Sequence, residues 1–308
     1  MKSTLFNKDV RLLQTSYKRS FFPDQFSNEI YYSSFTKPSK NTPIKYTSNF
    51  SIKYVLSGSE SYLLNGKKHT IESGKYLLVN DGQEVETKPE RNSEGISIFL
   101  EKELIAEVYA SLISTDKKLI EKEVSSNAFL DIEFFESTFS HSDILGTVLQ
   151  QISQNIKGNK NYKDALTKES YYCIAEKLIL SQKQVQDEIG HIERTKKSTR
   201  EELYKKVRIA KDYIHDTMLS DFNLELLSKN VGLSKYHLIR VFKSTFSMTP
   251  YQYHLFCKVE RAKALLIYHS HNLEVIAYIC GFNDIFSFSK TFKKVVGVTP
   301  SKFRQQYK

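Results

Sequence analysis

From residue 47 to 56 polar and apolar side chains alternate with period two, as a half-buried strand requires, and Ser57-Gly58-Ser59 then breaks the pattern. Two further runs, 61–64 and 68–71, flank Asn65-Gly66, a dipeptide suited to a two-residue hairpin turn. A fourth run, 75–80, follows Ser73-Gly74 and ends at Asp81-Gly82. Short strands about ten residues apart predict an antiparallel barrel or sandwich. Residues 1 to 45 mix aromatics with Pro23, Pro38 and Pro43, which predicts short strands and extended connections.

Beyond residue 100 the period becomes helical. Leu104, Ile105, Val108, Leu112 and Ile113 share one face, and Ile144, Leu145, Val148, Ile152 and Ile156 share another. A third helix is expected over 164–185, with Leu166, Ile174, Leu178 and Ile179 apolar. Residues 190–200 are polar and basic and read as a linker, after which the pattern is helix and short turn throughout. The expected organisation is therefore two domains: 1–189, an all-β barrel followed by helices (α+β), and 201–308, all-α.

The second domain repeats itself. Asn223-Leu224-Glu225-Leu226-Leu227 aligns with Asn272-Leu273-Glu274-Val275-Ile276 at an offset of 49, and Gly232-Leu233 aligns with Gly281-Phe282. After a one-residue insertion, Leu238, Arg240, Phe242-Lys243 and Thr249-Pro250 align with Phe288, Lys290, Phe292-Lys293 and Thr299-Pro300 at an offset of 50. Each copy reads as two helices. Asparagine caps the first, glycine sits in the turn, Ser234 (or Asn283 or Asp284) caps the second, and Thr-Pro opens the next helix. On the second helices Leu238, Phe242 and Phe246, like Phe288 and Phe292, should be core. Tyr236, Arg240 and Lys243 fall on the opposite face at i, i+4 and i+7, and Phe286, Lys290 and Lys293 repeat that stripe. A short helix, a glycine turn and a second helix with a basic face is the helix-turn-helix pattern of major-groove readers.

Charge supports this. Residues 1–190 carry 24 basic and 25 acidic side chains, whereas 191–308 carry 21 and 10, so the whole net charge of +10 comes from the repeat-bearing domain. Such asymmetry points to a polyanion, either nucleic acid or an anionic membrane. Short repeated helices beside turn glycines, with no long amphipathic face, favour duplex DNA over membrane. No apolar leader opens the chain and no run approaches a bilayer span, so a cytoplasmic protein is expected. Cys173, Cys257 and Cys280 are far apart and apolar in setting; all three are expected in the core, with no disulfide framework or metal site.

Residues from about 205 to 308 closely resemble the DNA-binding domain of the AraC/XylS transcriptional regulators. The resemblance rests on Gly232-Leu233-Ser234, His237-Leu238, Arg240, Phe242-Lys243, Thr249-Pro250, Tyr253, Arg261-Ala262-Lys263, Leu265-Leu266 and Ile276-Ala277. It continues through Gly281-Phe282, Asp284, Phe288-Ser289-Lys290, Phe292-Lys293-Lys294, Gly297-Val298-Thr299-Pro300 and Phe303-Arg304. It implies two helix-turn-helix subdomains joined by a linker helix over about 250–268, whose recognition helices enter successive major grooves. By motif position the base-reading residues are Tyr236, Ile239 and Arg240 in the first copy and Ile285, Phe286, Ser289 and Lys290 in the second. Lys243, Lys293 and Lys294 are candidates for phosphate contact. Two departures stand out. Ile285 and Phe286 replace small or amide residues, which suggests apolar contact with thymine methyls. Ser247 replaces the glycine usual before the first Thr-Pro, leaving the path of that turn open.

The first domain looks like the cupin-type sensing and dimerisation domain of that family, on the pattern of Gly58, Asn65-Gly66, Ser73-Gly74, Tyr76 and the run 77–80. Metal-dependent cupins need clustered histidines and a carboxylate, but residues 46–100 hold one histidine, His69, and the turn 81–84 reads Asp-Gly-Gln-Glu. No enzyme activity, metal or cofactor is therefore expected. A barrel can still hold a small molecule, with Phe50, Tyr54, Tyr62 and Tyr76 as lining candidates. The expected function is a sequence-specific, one-component transcriptional regulator, controlled by a small-molecule effector or by self-association. Its expected partners are double-stranded promoter DNA, RNA polymerase if it is an activator, a possible effector and a possible second copy. The alternatives are a constitutive or architectural regulator without effector and, from another class, a cupin enzyme with an appended DNA-binding module.

Overall fold

The computed structural model describes residues 6–13, 27–35, 43–88, 90–115, 133–140, 143–158, 167–193 and 196–307. The chain divides into two compact units, Met1–Val185 and Gln186–Lys308.

The first unit is built on two sheets. Strands β1 (Phe6–Leu13), β2 (Asn28–Phe35), β4 (Phe50–Ser57), β7 (Lys75–Val79), β9 (Ser93–Leu100) and β10 (Thr138–Ser140) form one, in the order β1-β2-β9-β4-β7-β10. Strands β3 (Ile44–Ser48), β5 (Ser59–Leu64), β6 (Lys67–Glu72) and β8 (Gln83–Lys88) form the other, in the order β3-β8-β5-β6. Pairing is antiparallel except between β1 and β2. Tyr31, Val55, Leu77, Val79 and Phe99 of the larger sheet meet Ile44, Tyr46, Tyr62, Leu64, Ile71 and Val85 of the smaller in one buried cluster. The expected hairpin is present: Asn65 and Gly66 both take positive φ (46° and 82°) between β5 and β6. Helix α1 (Lys102–Thr115) lies between β9 and β10 in the chain, and α2 (Ile144–Gly158) and the start of α3 (Lys168–Gly190) follow β10.

The structure corrects several details. The run 47–56 is two strands, not one. Ser48, whose hydroxyl hydrogen-bonds the Asn49 carbonyl at 2.8 Å, ends β3 in the smaller sheet, and Phe50 starts β4 in the larger. Alternation also misplaces three of the four lining candidates, because β4 is buried on both faces. Ser51, Lys53 and Val55 pair with Val79, Leu77, Phe99, Ser97 and Gly95 on the face toward the smaller sheet. Phe50, Tyr54 and Tyr76 lie on the opposite face. There Phe50 meets Phe134 at 5.0 Å between ring centroids, Tyr76 stacks on Phe139, and the Tyr76 hydroxyl donates to Asp143 at 2.7 Å. Only Tyr62 of the four is in the inter-sheet cluster. Cys173 is exposed, unlike Cys257 and Cys280, and Ile144 is exposed while Leu145, Leu149, Ile152 and Ile156 form the buried stripe of α2. Leu166 lies outside the described residues.

The second unit is helical: α4 (Lys197–Asp216), α5 (Leu224–Val231), α6 (Lys235–Phe246), α7 (Pro250–Tyr268), α8 (Leu273–Ile279), α9 (Ile285–Val296) and α10 (Pro300–Tyr307). The linker expected at 190–200 is shorter than that, since α4 already starts at Lys197. Residues 191–216 hold no glycine or proline to stop a helix, and Lys197 faces Glu201 one turn on, at 3.9 Å. Tyr204, Val207, Ala210 and Ile214 of α4 are buried, so α4 completes the core of the first helix-turn-helix. The core of the second joins Val259, Ala262 and Leu266 of α7 to Ile276, Ala277, Cys280, Phe282, Phe288, Phe292 and Phe303.

Candidate nucleic-acid interface

The two recognition helices, α6 and α9, are set by the same local chemistry. Asn223 Oδ1 accepts the Leu226 amide at 2.9 Å to start α5, and Asn272 Oδ1 accepts the Val275 amide at 2.8 Å to start α8. Both helices end in the same pair of closures. The Leu233 amide donates to the Ser228 carbonyl and Gly232 to Lys229; Phe282 donates to Ala277 and Gly281 to Tyr278. Gly232 and Gly281 hold φ of 62° and 73°, a left-handed turn that side chains resist. Ser234 then caps α6 through the His237 amide, and Asp284 caps α9 through the Ser287 amide at 2.7 Å. The Ser287 amide and hydroxyl, both donating to Asp284, hold its carboxyl below the usual carboxylate range.

Each recognition helix has one buried and one bare side. Leu238 and Phe242 of α6, and Phe288 and Phe292 of α9, are fully buried. Tyr236 is 77% exposed and Phe286 83%, and Arg240, Lys243, Lys290, Lys293 and Lys294 are exposed beside them. The remaining residues carried over by motif, Ile239, Ile285 and Ser289, are half-buried at the edges of these faces. Exposed aromatic rings are costly to leave in water, and with cations beside them they are well matched to a groove walled by phosphates. Such a surface can stack on or slide between base edges through its rings while its cations neutralise the backbone.

Ser247 answers the question of the first turn: it takes φ 59°, close to the 88° of Gly297, so the turn is kept with a serine in a glycine conformation. Thr249, two residues on, closes a full capping box with Gln252.

The joint between the two helix-turn-helices was not visible in the sequence pattern. Lys258, on α7, is buried and donates to the Gly281 carbonyl at 2.6 Å, over the Phe282 ring, so the linker helix grips the turn of the second helix-turn-helix. Gly281 also lies against the α4–α5 connection: a Cβ there would meet the Leu219 carbonyl at 2.9 Å. His254, one turn before Lys258, is buried against Phe222, and burial with the neighbouring Lys258 charge lowers its pKa to about 4. A lysine and a histidine on a long helix ordinarily read as solvent-facing. The available signal was their i, i+4 spacing, in register with the buried Val259 and Ala262 only if both faces of α7 are covered.

Comparison with known proteins agrees with this geometry. Residues 227–306 match a family described as "Helix-turn-helix domain", and residues 28–132 match one described as "AraC-like ligand binding domain". The MmsAB operon regulatory protein of Pseudomonas aeruginosa is 32% identical over 94 residues, 30% of this chain and 31% of that protein. The arabinose operon regulatory protein of Escherichia coli is 25% identical over 177 residues, 57% of this chain and 56% of that protein. The matched segments thus span from a third to just over half the length of these curated relatives. A solved AraC-type transcriptional regulator from Chromobacterium violaceum is 27% identical, with 33% of this chain and 91% of that one covered and a TM-score of 0.32.

Proposed function

This chain joins an AraC-like ligand-binding domain to an AraC-type helix-turn-helix domain, and from that premise we propose that it is a sequence-specific DNA-binding transcriptional regulator. One observation carries the reading. Two helices with equivalent caps, turns and buried phenylalanines present equivalent bare faces, Tyr236-Arg240-Lys243 and Phe286-Lys290-Lys293. Its target is double-stranded promoter DNA. Arg240 is the residue suited to bidentate readout of a guanine, Phe286 and Ile285 to thymine methyls, and Lys243, Lys293 and Lys294 to phosphate. The β-rich unit supplies control, by binding a small-molecule effector, by self-association or by both. Both matched families are binding domains and neither is an enzyme. Among the described residues no helix is long and apolar enough to cross a membrane.

Genome-wide mapping of the sites occupied by the full chain tests this directly. Recovery of a recurrent motif with two half-sites, footprinted on one face of the duplex, is the expected result. Enrichment without any shared motif would remove sequence-specific regulation.

A further inference from the structure

The space between the two sheets is more polar than a folding core requires. Lys53 on β4 is 0% exposed, and its Nζ has no hydrogen-bond partner. It sits 3.9 Å from the centroid of the Phe99 ring on the larger sheet and 5.4 Å from that of Tyr46 on the smaller, so the amine lies between them. Among the described residues, the carboxyl group whose charge reaches Lys53 is that of Glu60. Glu60 on β5 is also buried, but each of its oxygens has a donor: the Tyr62 hydroxyl donates to Oε2 at 2.5 Å and the Ser33 hydroxyl donates to Oε1 at 3.4 Å. Gly95 makes room for that carboxyl, since a Cβ there would come within 2.8 Å of Oε1. The acceptor of the pair therefore has a built seat, whereas the donor has none. The Glu60 charge acts on Lys53 through space only, and burial keeps the amine's pKa well below its ordinary value.

We propose that the effector of this domain is a small organic monoanion whose carboxylate docks on the Lys53 amine between the rings of Phe99 and Tyr46. The proposal rests on the effector-sensing part of the reading above and names the ligand's chemistry. A buried donor without an acceptor destabilises its fold, and a carboxylate is the acceptor that restores the ammonium with a charge-assisted bond. The surrounding Phe99, Tyr46 and Tyr31 rings, with Tyr31 and Phe99 edge-on at 5.5 Å, favour an apolar or flat body on the anion. Glu60 disfavours a second negative charge, which sets the preference for one carboxylate over two.

The test uses the full chain, wild type and Lys53→Met, melted with acetate or benzoate against sodium chloride of equal ionic strength. Benzoate is expected to raise the wild-type Tm by about two degrees or more and to leave Lys53→Met unmoved. Without ligand, Lys53→Met is expected to melt at or above the wild type, since methionine fills the same space without a buried amine. A lower ligand-free Tm would make Lys53 a structural partner of Glu60 and overturn the proposal. So would equal shifts in both proteins, or no shift with either carboxylate. Stabilisation of both proteins alike by a neutral sugar such as glucose would remove the anion and leave effector sensing in place.

Discussion

The first helix-turn-helix unit ends its recognition helix on Ser247 at φ 59°, and the second ends on Gly297 at φ 88°. Five residues past each Thr-Pro threonine the first has a buried His254, whereas the second has Arg304, whose guanidinium donates to the His271 carbonyl at 2.6 Å. On the bare faces the first offers tyrosine, arginine and lysine, and the second phenylalanine and two lysines. The asparagine caps, the glycine-turn closures and a buried phenylalanine late in the recognition helix (Phe242 and Phe292) are the same in both. Backbone geometry is thus held by a few local groups that tolerate little change, while the faces those groups aim are free to diverge. Two copies of one scaffold can in this way read two different half-sites.

The largest test of that equivalence lies in the cores. Phe242→Ala and Phe288→Ala should each cost about 3–5 kcal/mol of stability, because each removes a fully buried ring in contact with at least one other ring. Chemical unfolding of the two variants measures it. A loss below about 1 kcal/mol at either site would mean that that unit is not held by its aromatic core.

The joint separates the units next, through pH. His254 folds with a pKa of about 4 against an unfolded value near 6.5, so between those values the unfolded state binds more protons. Stability therefore falls as pH drops through that window, a dependence that Arg304 at the equivalent position of the second helix-turn-helix does not supply. His254→Asn should lose less stability than wild type between pH 7 and pH 5, whatever its stability at pH 7. Parallel pH profiles would show that His254 titrates freely and that the joint is open to water.

On DNA, Arg240→Ala should weaken specific binding by about 1–3 kcal/mol if the arginine reads a guanine bidentately. Phe286→Ala should cost less and relax selection for thymine in the other half-site. Gel-shift titrations on the mapped site and on random DNA distinguish the two. Equal losses on both DNAs would reduce Arg240 to a phosphate clamp, and the two faces would then differ in residue type without differing in role.

Much of the second unit was legible because its signals are local. An asparagine cap, a left-handed glycine and Thr-Pro each act within four residues, and their recurrence at a fixed offset identified both helix-turn-helices. The α7 joint was not legible. Its burial is split between two cores, so His254 and Lys258 have no single apolar stripe to belong to. The first unit failed in a related way. Period-two alternation marks which residues of a strand share a face, but it cannot say that the other face is covered as well. Phe134, Phe139 and Asp143, far along the chain, cover the face bearing Phe50, Tyr54 and Tyr76. With that face closed, Ser51 and Lys53 are left lining the interior, where a polar pattern on a strand would ordinarily be read as solvent-facing.

The smallest expected effect returns to the turn after each recognition helix. Ser247 keeps a left-handed conformation that costs an L-residue energy, and Gly297 keeps the same conformation freely. Ser247→Gly should therefore stabilise the first helix-turn-helix by about 0.5–1 kcal/mol, the relief of strain being partly offset by the added freedom of the unfolded chain. The reciprocal Gly297→Ser should destabilise by a similar amount. A Cβ at Gly297 would meet nothing within 4 Å, so that loss would come from backbone conformation and not from a clash. Urea midpoints at unchanged m-value read both changes. Should Ser247→Gly instead lower the midpoint, the serine side chain would be holding the first turn, and the two units would not share one backbone plan after all.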